Sequence, residues 1–542
     1  MFIISKNKKS AFKAINNYKE SLSELHDNFS EIFKINISES KSIFWFSAKP
    51  QDQLYVFKNA IVLGKLNFNE KQCSKPIYHE NEMLDSFIDL NLDTLLNTTI
   101  IYFDEKNIEV IPNETTSIYY SQKSISDFQL LIAKFEKLWP SQVNTQILAG
   151  VGYFPGNMTL FEEIKKIPYL FKLKNNKLEN ISQFRPTKHN DKKLLERLIE
   201  IVPNSNKQSL AMSGGLDSRF VLGVLMKSGI KPKLFSLDGN EKTIVQKVAD
   251  CYDLDLTVDN QKHIQNDLYT LMTDARIYFR GGNYSKMISD YQAEGIIHYG
   301  FCLLPYNENS FASAWKKPSI KSNLYDDLIN YALLPRVPTS GFSQFRSTLS
   351  KAKMFQVLKE EMKFGIDSYN FKLKTKKEIA TWFYHLSRGL TWTYAHLSDL
   401  SFFKYPVFLL GDKKACEFGF RSSAYSNFNK ERLRKINQKL FTDSNIDYSD
   451  NRSFKSLPPI IKDISKIYNE FLKKLIARYK GIKNQKPGDS LDWFDNLKTT
   501  EAKSFNKYFS VPYKNIIDDD KVKFNLKRAA VTINDTLIFL EK

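Results

Sequence analysis

The chain has little cysteine, and the cysteines that it has show no pairing pattern. Only four occur in 542 residues (Cys73, Cys251, Cys302 and Cys416), and no two of them form a C-x-x-C pair. This spacing argues against a structural zinc site and against a disulfide framework. It is typical of a protein kept in a reducing compartment.

Long apolar runs are missing as well. No stretch reaches the roughly 18 apolar residues that a membrane-spanning helix needs. The first nine residues contain only a brief apolar run before their lysines, unlike a secretory signal peptide. We therefore expect a cytoplasmic protein without a membrane partner.

Positive charge is in excess, but it is not concentrated. The chain has 79 lysines and arginines against 60 acidic residues, a net charge of +19. Such an excess is compatible with nucleic acid or another anionic partner. No long basic tract occurs, however, and the scattered lysines favour a solvated surface over an RNA-binding face.

What the sequence does contain is a serine-glycine turn between an apolar run and a helical pattern. The turn is Ser213, Gly214, Gly215, Leu216, Asp217 and Ser218, and the helical pattern continues to residue 226. Glycines let the backbone approach an anion closely, and a helix N-terminus then presents N–H groups to that anion. We expect Ser213 and Ser218 to add hydroxyl donors and Asp217 to hold Mg²⁺ through oxygen. A Walker loop would need a Gly-Lys-Ser/Thr ending, which is absent here.

The hydrophobic patterning predicts a mixed fold in two parts. The length alone predicts two to four domains. Residues 1–185 favour β structure, with strands predicted at 42–47, 53–57, 60–63, 98–103 and 108–111 and helices at 126–138 and 160–166. Between 190 and 300 strands alternate with helices, which indicates a parallel α/β sheet. Its strands are predicted at 210–212, 233–237 and 296–299, its helices at 218–228, 241–252 and 266–279, and His298 is assigned to the core. From about residue 320 the pattern is mostly helical.

The turn resembles the pyrophosphate-binding SGGxDS loop of the ATP pyrophosphatases. Other segments are similar, in the same order, to those of asparagine synthetases, at 98–120, 152–168, 235–249, 404–414 and 430–434. The resemblance implies a degenerate glutaminase-like domain of the N-terminal-nucleophile type over residues 1–185. It implies an ATP-pyrophosphatase synthetase domain with a largely helical C-terminal part over 190–542. The fold class expected is therefore α+β combined with α/β.

The sequence departs from that family at three places. Its glutaminases use an N-terminal cysteine, where this chain has Phe2, so glutamine hydrolysis by that route is excluded. β-Lactam synthetases and lasso-peptide cyclases share this loss and take the amine from the substrate. The acidic loop after the third parallel strand keeps only Gly300, and Phe402 stands where the family has a catalytic glutamate.

The resemblance also suggests which residues surround the phosphate loop. Asp217, with Glu308 as a second oxygen ligand, would bind magnesium. Asp399 is the acid nearest to the missing glutamate. Arg452 and Lys455 fall where the family has a lysine that stabilises charge on the intermediate and on departing AMP.

The function implied is an ATP-dependent, AMP-forming ligase that activates a carboxylate as an acyl-adenylate and joins it to an amine. ATP and Mg²⁺ are the expected cofactors, and the expected partner is a small-molecule, sugar or peptide substrate that carries a carboxylate and an amine; a partner protein is a further possibility. Two alternatives stay open: a catalytically decayed pseudo-synthetase that binds a nucleotide or a protein, and an RNA-modifying ATP pyrophosphatase.

Overall fold

The described residues form three β-sheets with helices around them. The computed structural model describes residues 1–23, 30–39, 41–46, 54–64, 75–79, 81–84, 98–112, 117–152, 154–181, 185, 187, 190–205, 207–237, 242–259, 296–300, 324–334, 343–369, 378–379, 382–383, 405–420, 431–441, 500–519, 522 and 524–541. Within these residues, no helix has both the length and the apolar character that crossing a bilayer requires.

The first sheet is antiparallel, and its strand order is β11-β9-β10-β1-β3-β2. Its strands are β1 (Phe2–Ser5), β2 (Phe33–Asn36), β3 (Ser42–Trp45), β9 (Tyr119–Tyr120), β10 (Ser124–Ser126) and β11 (Lys165–Lys166). Helices α1 (Lys8–Ser23) and α2 (Gln129–Glu136) pack against it. The rings of Phe12 on α1 and Phe44 on β3 lie 5.9 Å apart.

The second sheet has the order β13-β12-β8-β7-β5-β4-β6 and is antiparallel except for the pairing of β4 with β6. Its strands are β4 (Leu54–Phe57), β5 (Ala60–Leu63), β6 (Ile77–His79), β7 (Thr99–Phe103), β8 (Ile108–Ile111), β12 (Phe171–Lys174) and β13 (Lys177–Asn180). Alternate residues of a strand face opposite sides. Leu54 and Val56 accordingly join the core that the first sheet also lines, while Tyr55 and Phe57 build a separate cluster on the other face.

The third sheet is parallel, as the alternating pattern predicts, and its order is β16-β15-β14-β17-β18. Its strands are β14 (Gln208–Ala211), β15 (Lys233–Leu237), β16 (Leu256–Asp259), β17 (Ile296–Tyr299) and β18 (Tyr405–Val407). Pro406 lies in β18, which is an edge strand of the sheet as described, where a missing N–H is tolerated. The structure therefore confirms mixed α and β content with one all-parallel sheet.

The remaining helices follow in chain order. They are α3 (Gln142–Val151), α4 (Asp191–Glu200), α5 (Leu216–Lys227), α6 (Lys242–Tyr252), α7 (Leu324–Leu328), α8 (Lys351–Asp367), α9 (Lys413–Phe420), α10 (Glu431–Leu440), α11 (Tyr513–Asp518) and α12 (Phe524–Glu541). Short helical turns occur at Ile329–Leu333, Leu409–Gly411 and Phe505–Lys507.

Helix α12 packs against the helices that follow the first sheet. It contacts α3 and, less extensively, α2. The Nζ of Lys134 on α2 donates to the carbonyl oxygens of Phe539 (3.0 Å) and Leu540 (3.2 Å). A lysine at the last carbonyls of a helix satisfies acceptors that lack an intrahelical partner and complements the helix dipole. This contact joins two parts of the chain that are more than 400 residues apart.

The helix predicted over residues 160–166 is wrong. That stretch contains bends and the short strand β11, which pairs with β9. The hydroxyl of Thr159 accepts from the N–H of Phe161 at 3.1 Å and lies 2.8 Å from the carbonyl oxygen of Ile164. Such side-chain bonds to nearby backbone compete with helix formation.

The helix predicted over 126–138 is shorter in the structure, because residues 124–126 form β10. The hydroxyl of Ser126 donates to the carbonyl oxygen of Phe2 (2.6 Å) and accepts from the N–H of Phe128 (3.0 Å). Because of this turn, helix α2 begins at Gln129 and not at residue 126. Helix α1 lies in a part of the chain that the pattern assigned to β structure.

Candidate phosphate-binding site

The serine-glycine turn lies between β14 and α5, as the sequence predicts. The N–H of Ser213 donates to the hydroxyl of Ser218 (3.2 Å), and that hydroxyl lies 3.0 Å from the carbonyl oxygen of Ser213. The N–H of Gly215 donates to the hydroxyl of Ser213 (3.2 Å). Ser218 therefore closes the turn from inside, while Ser213 lies at its exposed side.

The first turn of α5 opens directly from this loop. Gly215 is the N-cap residue, in an extended conformation (φ −78°, ψ 172°), and it has no side chain that could cap the helix. The N-terminal N–H groups of a helix and the positive end of its dipole attract anions. An anion bound beside Gly215 could accept hydrogen bonds from these N–H groups and would lie at the positive end of the dipole.

The loop occupies the point at which the parallel sheet reverses its order. From β14 the chain passes to β15 and β16 on one side, and β17 and β18 lie on the other side. Ligands of open α/β sheets bind beyond the carboxyl ends of the strands at such a switch point. The position of the loop in the sheet is therefore that of a ligand site, and this argument does not depend on which residues form the loop.

Gly300 brings the end of β17 against the start of α5. A Cβ at this position would lie 2.3 Å from the Cα and 2.6 Å from the N of Ser218. Both atoms are backbone and cannot rotate away. Only glycine permits this close approach of β17 and α5.

Helix α10 supports α5 from the side. The Nδ2 of Asn437 donates to the carbonyl oxygen of Leu216 (3.0 Å), and Asn437 is fully buried. Gly223 permits close packing, since a Cβ there would lie 2.8 Å from the Cδ1 of Leu440. The first turn of α5 is thus held by a residue that sequence reasoning did not identify.

His298 on β17 belongs to the core, as predicted. Its Nε2 lies 2.5 Å from the Oε1 of Gln208, whose amide nitrogen donates to the carbonyl oxygens of Pro203 (2.7 Å) and Ser205 (3.0 Å). The amide oxygen of Gln208 is therefore the acceptor, and His298 carries its proton on Nε2. Burial lowers the pKa of His298 to about 3, so the ring is neutral near pH 7. It joins the start of β14 to β17 and is not placed as an acid-base group.

A buried ion pair fixes the segment that follows β18. The Nε and Nη2 of Arg197 on α4 donate to the two carboxylate oxygens of Asp412, at 3.1 Å and 2.9 Å. The N–H of Ala415 also donates to Asp412 (2.7 Å), which thereby caps α9. Asp412 lies in the segment 404–414, and the sequence carried no signal that Arg197 is its partner.

The other predicted site residues cannot be located relative to the loop. Glu308, Asp399, Arg452 and Lys455 lie outside the described residues, as do Phe402 and Cys302. Phe2 is described: it is buried in β1, and its N–H donates to the Oδ1 of Asp127 (3.0 Å). Among the residues the structure describes, no three His, Cys, Asp or Glu side chains form a group that could hold a metal ion.

Magnesium is compatible with the Asp217 carboxylate in this loop. Asp217 is half-buried in the first turn of α5. Mg²⁺ is usually held by one or two carboxylates together with substrate phosphates and water, so a single aspartate suits it.

Comparisons with known proteins do not assign a family. No protein-family model matches this sequence, and a search of curated proteins finds no significant match.

Proposed function

We propose that the protein is an AMP-forming amide ligase that binds ATP at the Ser213–Ser218 loop. The observation that carries the proposal is the position of this loop, which connects the central parallel strand to a helix N-terminus at the switch point of the sheet. The resemblance of the loop to that of the ATP pyrophosphatases supplies the reaction class.

In this proposal the loop binds the β- and γ-phosphates of ATP. The N–H groups at the start of α5 and the hydroxyl of Ser213 are its donors, and the hydroxyl of Ser218 keeps the turn closed. A substrate carboxylate attacks the α-phosphorus, pyrophosphate leaves, and an acyl-adenylate results. An amine then attacks the acyl carbon, and AMP departs as the amide forms.

The chain's own residues favour the departure of pyrophosphate because they bind it more tightly as its charge develops. Donors that are fixed before the reaction stabilise such charge without reorganisation. Asp217 would hold magnesium, which neutralises phosphate charge when bound. Glu308, Asp399, Arg452 and Lys455 complete the proposed site as the resemblance implies.

We further propose that the two antiparallel sheets form a glutaminase-like domain that does not hydrolyse glutamine. Phe2 fills the place of the nucleophile with a buried aromatic ring. The amine is then free ammonia or a group on the substrate itself.

Product analysis tests the proposed reaction. The full chain is incubated with ATP, Mg²⁺ and a protein-free small-molecule fraction of a cell extract. We expect AMP and pyrophosphate in equal amounts. Asp217→Ala should lower their formation by about 100-fold or more, the usual effect of losing a group that stabilises developing charge.

Asp191→Ala is the matched control, because Asp191 lies in the first turn of another helix, α4. It should leave the products unchanged. Formation of ADP and phosphate would contradict the proposal. ATP binding without turnover would favour the pseudo-synthetase alternative, and turnover that requires added tRNA would favour the RNA-modifying one.

A further inference from the structure

A cavity of about 670 Å³ opens at one end of the two antiparallel sheets. The end of β1, the start of α1, the β9-β10 turn and the end of α2 contribute residues from the side of the first sheet. The β7-β8 and β12-β13 turns contribute residues from the second sheet. All of its lining residues belong to the described part of the chain, and the phosphate loop is not among them.

The walls of this cavity are strongly positive. Five of its lining residues are lysines, namely Lys6, Lys41, Lys106, Lys123 and Lys137, and Glu136 is the only acidic residue that lines it. Among the described residues, no salt bridge or side-chain hydrogen bond is seen for these five ammonium groups. The cavity therefore gathers five like charges, and of these Lys106 also has the exposed carboxylate of Asp104 near it.

Glu136 carries at most one negative charge against these five lysines, and its carboxylate is bonded to the first sheet. Its Oε1 accepts from the hydroxyl of Ser124 (2.5 Å) and from the hydroxyl of Ser121. This carboxylate holds the β9-β10 turn against α2. Asn176 adds a second brace, since its Nδ2 donates to the carbonyl oxygen of Gln122 (3.0 Å).

Helix α1 adds positive potential at the same place. Its first turn faces the cavity through Ser10, whose N–H donates to the side chain of Asn7 (3.1 Å). The N-terminus of a helix carries a partial positive charge. Lys41 is half-buried here, and its pKa is lowered by burial and then by the neighbouring charge of Lys6. A bound anion would relieve this repulsion.

We propose that this lysine cavity binds a small anion that carries three or more negative charges on phosphate or carboxylate groups. Its volume suits a ligand of that size, and its lysines come from five separate segments that the fold brings together. Lysine ammonium groups bind such anions as point charges and donate hydrogen bonds to their oxygens. The proposal does not depend on ATP turnover.

Calorimetric titration of the full chain with inorganic tripolyphosphate and with citrate, at about 0.15 M salt and without magnesium, tests the proposal. Lys6→Gln with Lys41→Gln should weaken binding by about tenfold or more, a loss of about 1.4 kcal/mol. Lys13→Gln with Lys34→Gln is the control. It removes the same charge from exposed positions outside the cavity and should change affinity by less than about twofold.

Binding of either probe with this lysine dependence supports the proposal. A preference for tripolyphosphate then identifies a phosphate ligand, and a preference for citrate identifies a polycarboxylate. Three results would overturn it: no saturable binding of either probe, equal weakening in both double variants, or loss of binding in Asp217→Ala but not in the Lys6/Lys41 variant. The last would assign the anion to the phosphate loop instead.

Discussion

Replacing Gly300 by alanine should lower the free energy of unfolding by about 3 kcal/mol and weaken ATP binding by at least about tenfold. The added Cβ would lie 2.3 Å from the Cα of Ser218, so β17 and the start of α5 must separate. That separation moves the N–H groups of the first turn away from the loop. Urea unfolding followed by circular dichroism gives the first quantity, and calorimetry with ATP gives the second.

Gly229→Ala is the control for this variant, because Gly229 lies outside the phosphate loop and an added Cβ there would meet nothing within 4 Å. Only the positive φ of +81° is costly at Gly229, by about 1 to 2 kcal/mol. If Gly300→Ala proved as stable as the unchanged protein, the result would contradict the close approach of β17 to the start of α5.

The second large effect is expected at the buried ion pair. Arg197→Met should destabilise the protein by about 3 to 5 kcal/mol, because the Asp412 carboxylate would stay buried without its counter-charge. Arg197 and Asp412 are 5% and 0% exposed, so water cannot replace the lost partner. Urea unfolding measures the loss.

Two further variants separate charge from packing. Arg197→Met combined with Asp412→Leu should recover part of the loss, since an apolar pair has no uncompensated charge. It should not recover all of it, because the cap that Asp412 provides for α9 is worth about 1 kcal/mol. Glu200→Gln should cost less than about 1 kcal/mol, because Glu200 is mostly exposed. If Arg197→Met lowered the free energy of unfolding by less than about 1 kcal/mol, the result would contradict a stabilising role for the Arg197–Asp412 ion pair.

Three of the five described strands of the parallel sheet were predictable, because they contain short apolar runs next to turn residues, whereas β16 (Leu256–Asp259) was not predicted. The strands at Lys233–Leu237 and Ile296–Tyr299 have the predicted limits. The edge strand at Tyr405–Val407 has only three residues and a proline, too little for a pattern to form. The order of the strands could not be predicted, since it depends on which edge each crossover reaches.

The site was predictable only where its residues are neighbours in the chain. The turn at residues 213–218 between a strand and a helix was predictable, because glycine, serine and aspartate have local conformational reasons to stand there. Arg197 and Asp412 are 215 residues apart, and Asn437 is 221 residues from Leu216. Such pairs depend on tertiary packing, which leaves no local pattern.

The five cavity lysines could not be grouped from the sequence for the same reason, because their proximity depends on tertiary packing. In the sequence they indicate a solvated surface, because no two of the five cavity lysines are adjacent. In the structure, turns from both antiparallel sheets bring them around one cavity. The net charge of +19 therefore includes a local concentration that composition could not locate.

Calorimetric titration with magnesium pyrophosphate tests the central claim, that the Ser213–Ser218 loop binds pyrophosphate, most directly. The account predicts saturable binding that Asp217→Ala weakens by about tenfold or more and that Asp191→Ala leaves unchanged. The Lys6/Lys41 variant should retain this binding, which distinguishes the loop from the lysine cavity. Equal affinity in the unchanged protein and in Asp217→Ala, or no binding at all, would contradict the account.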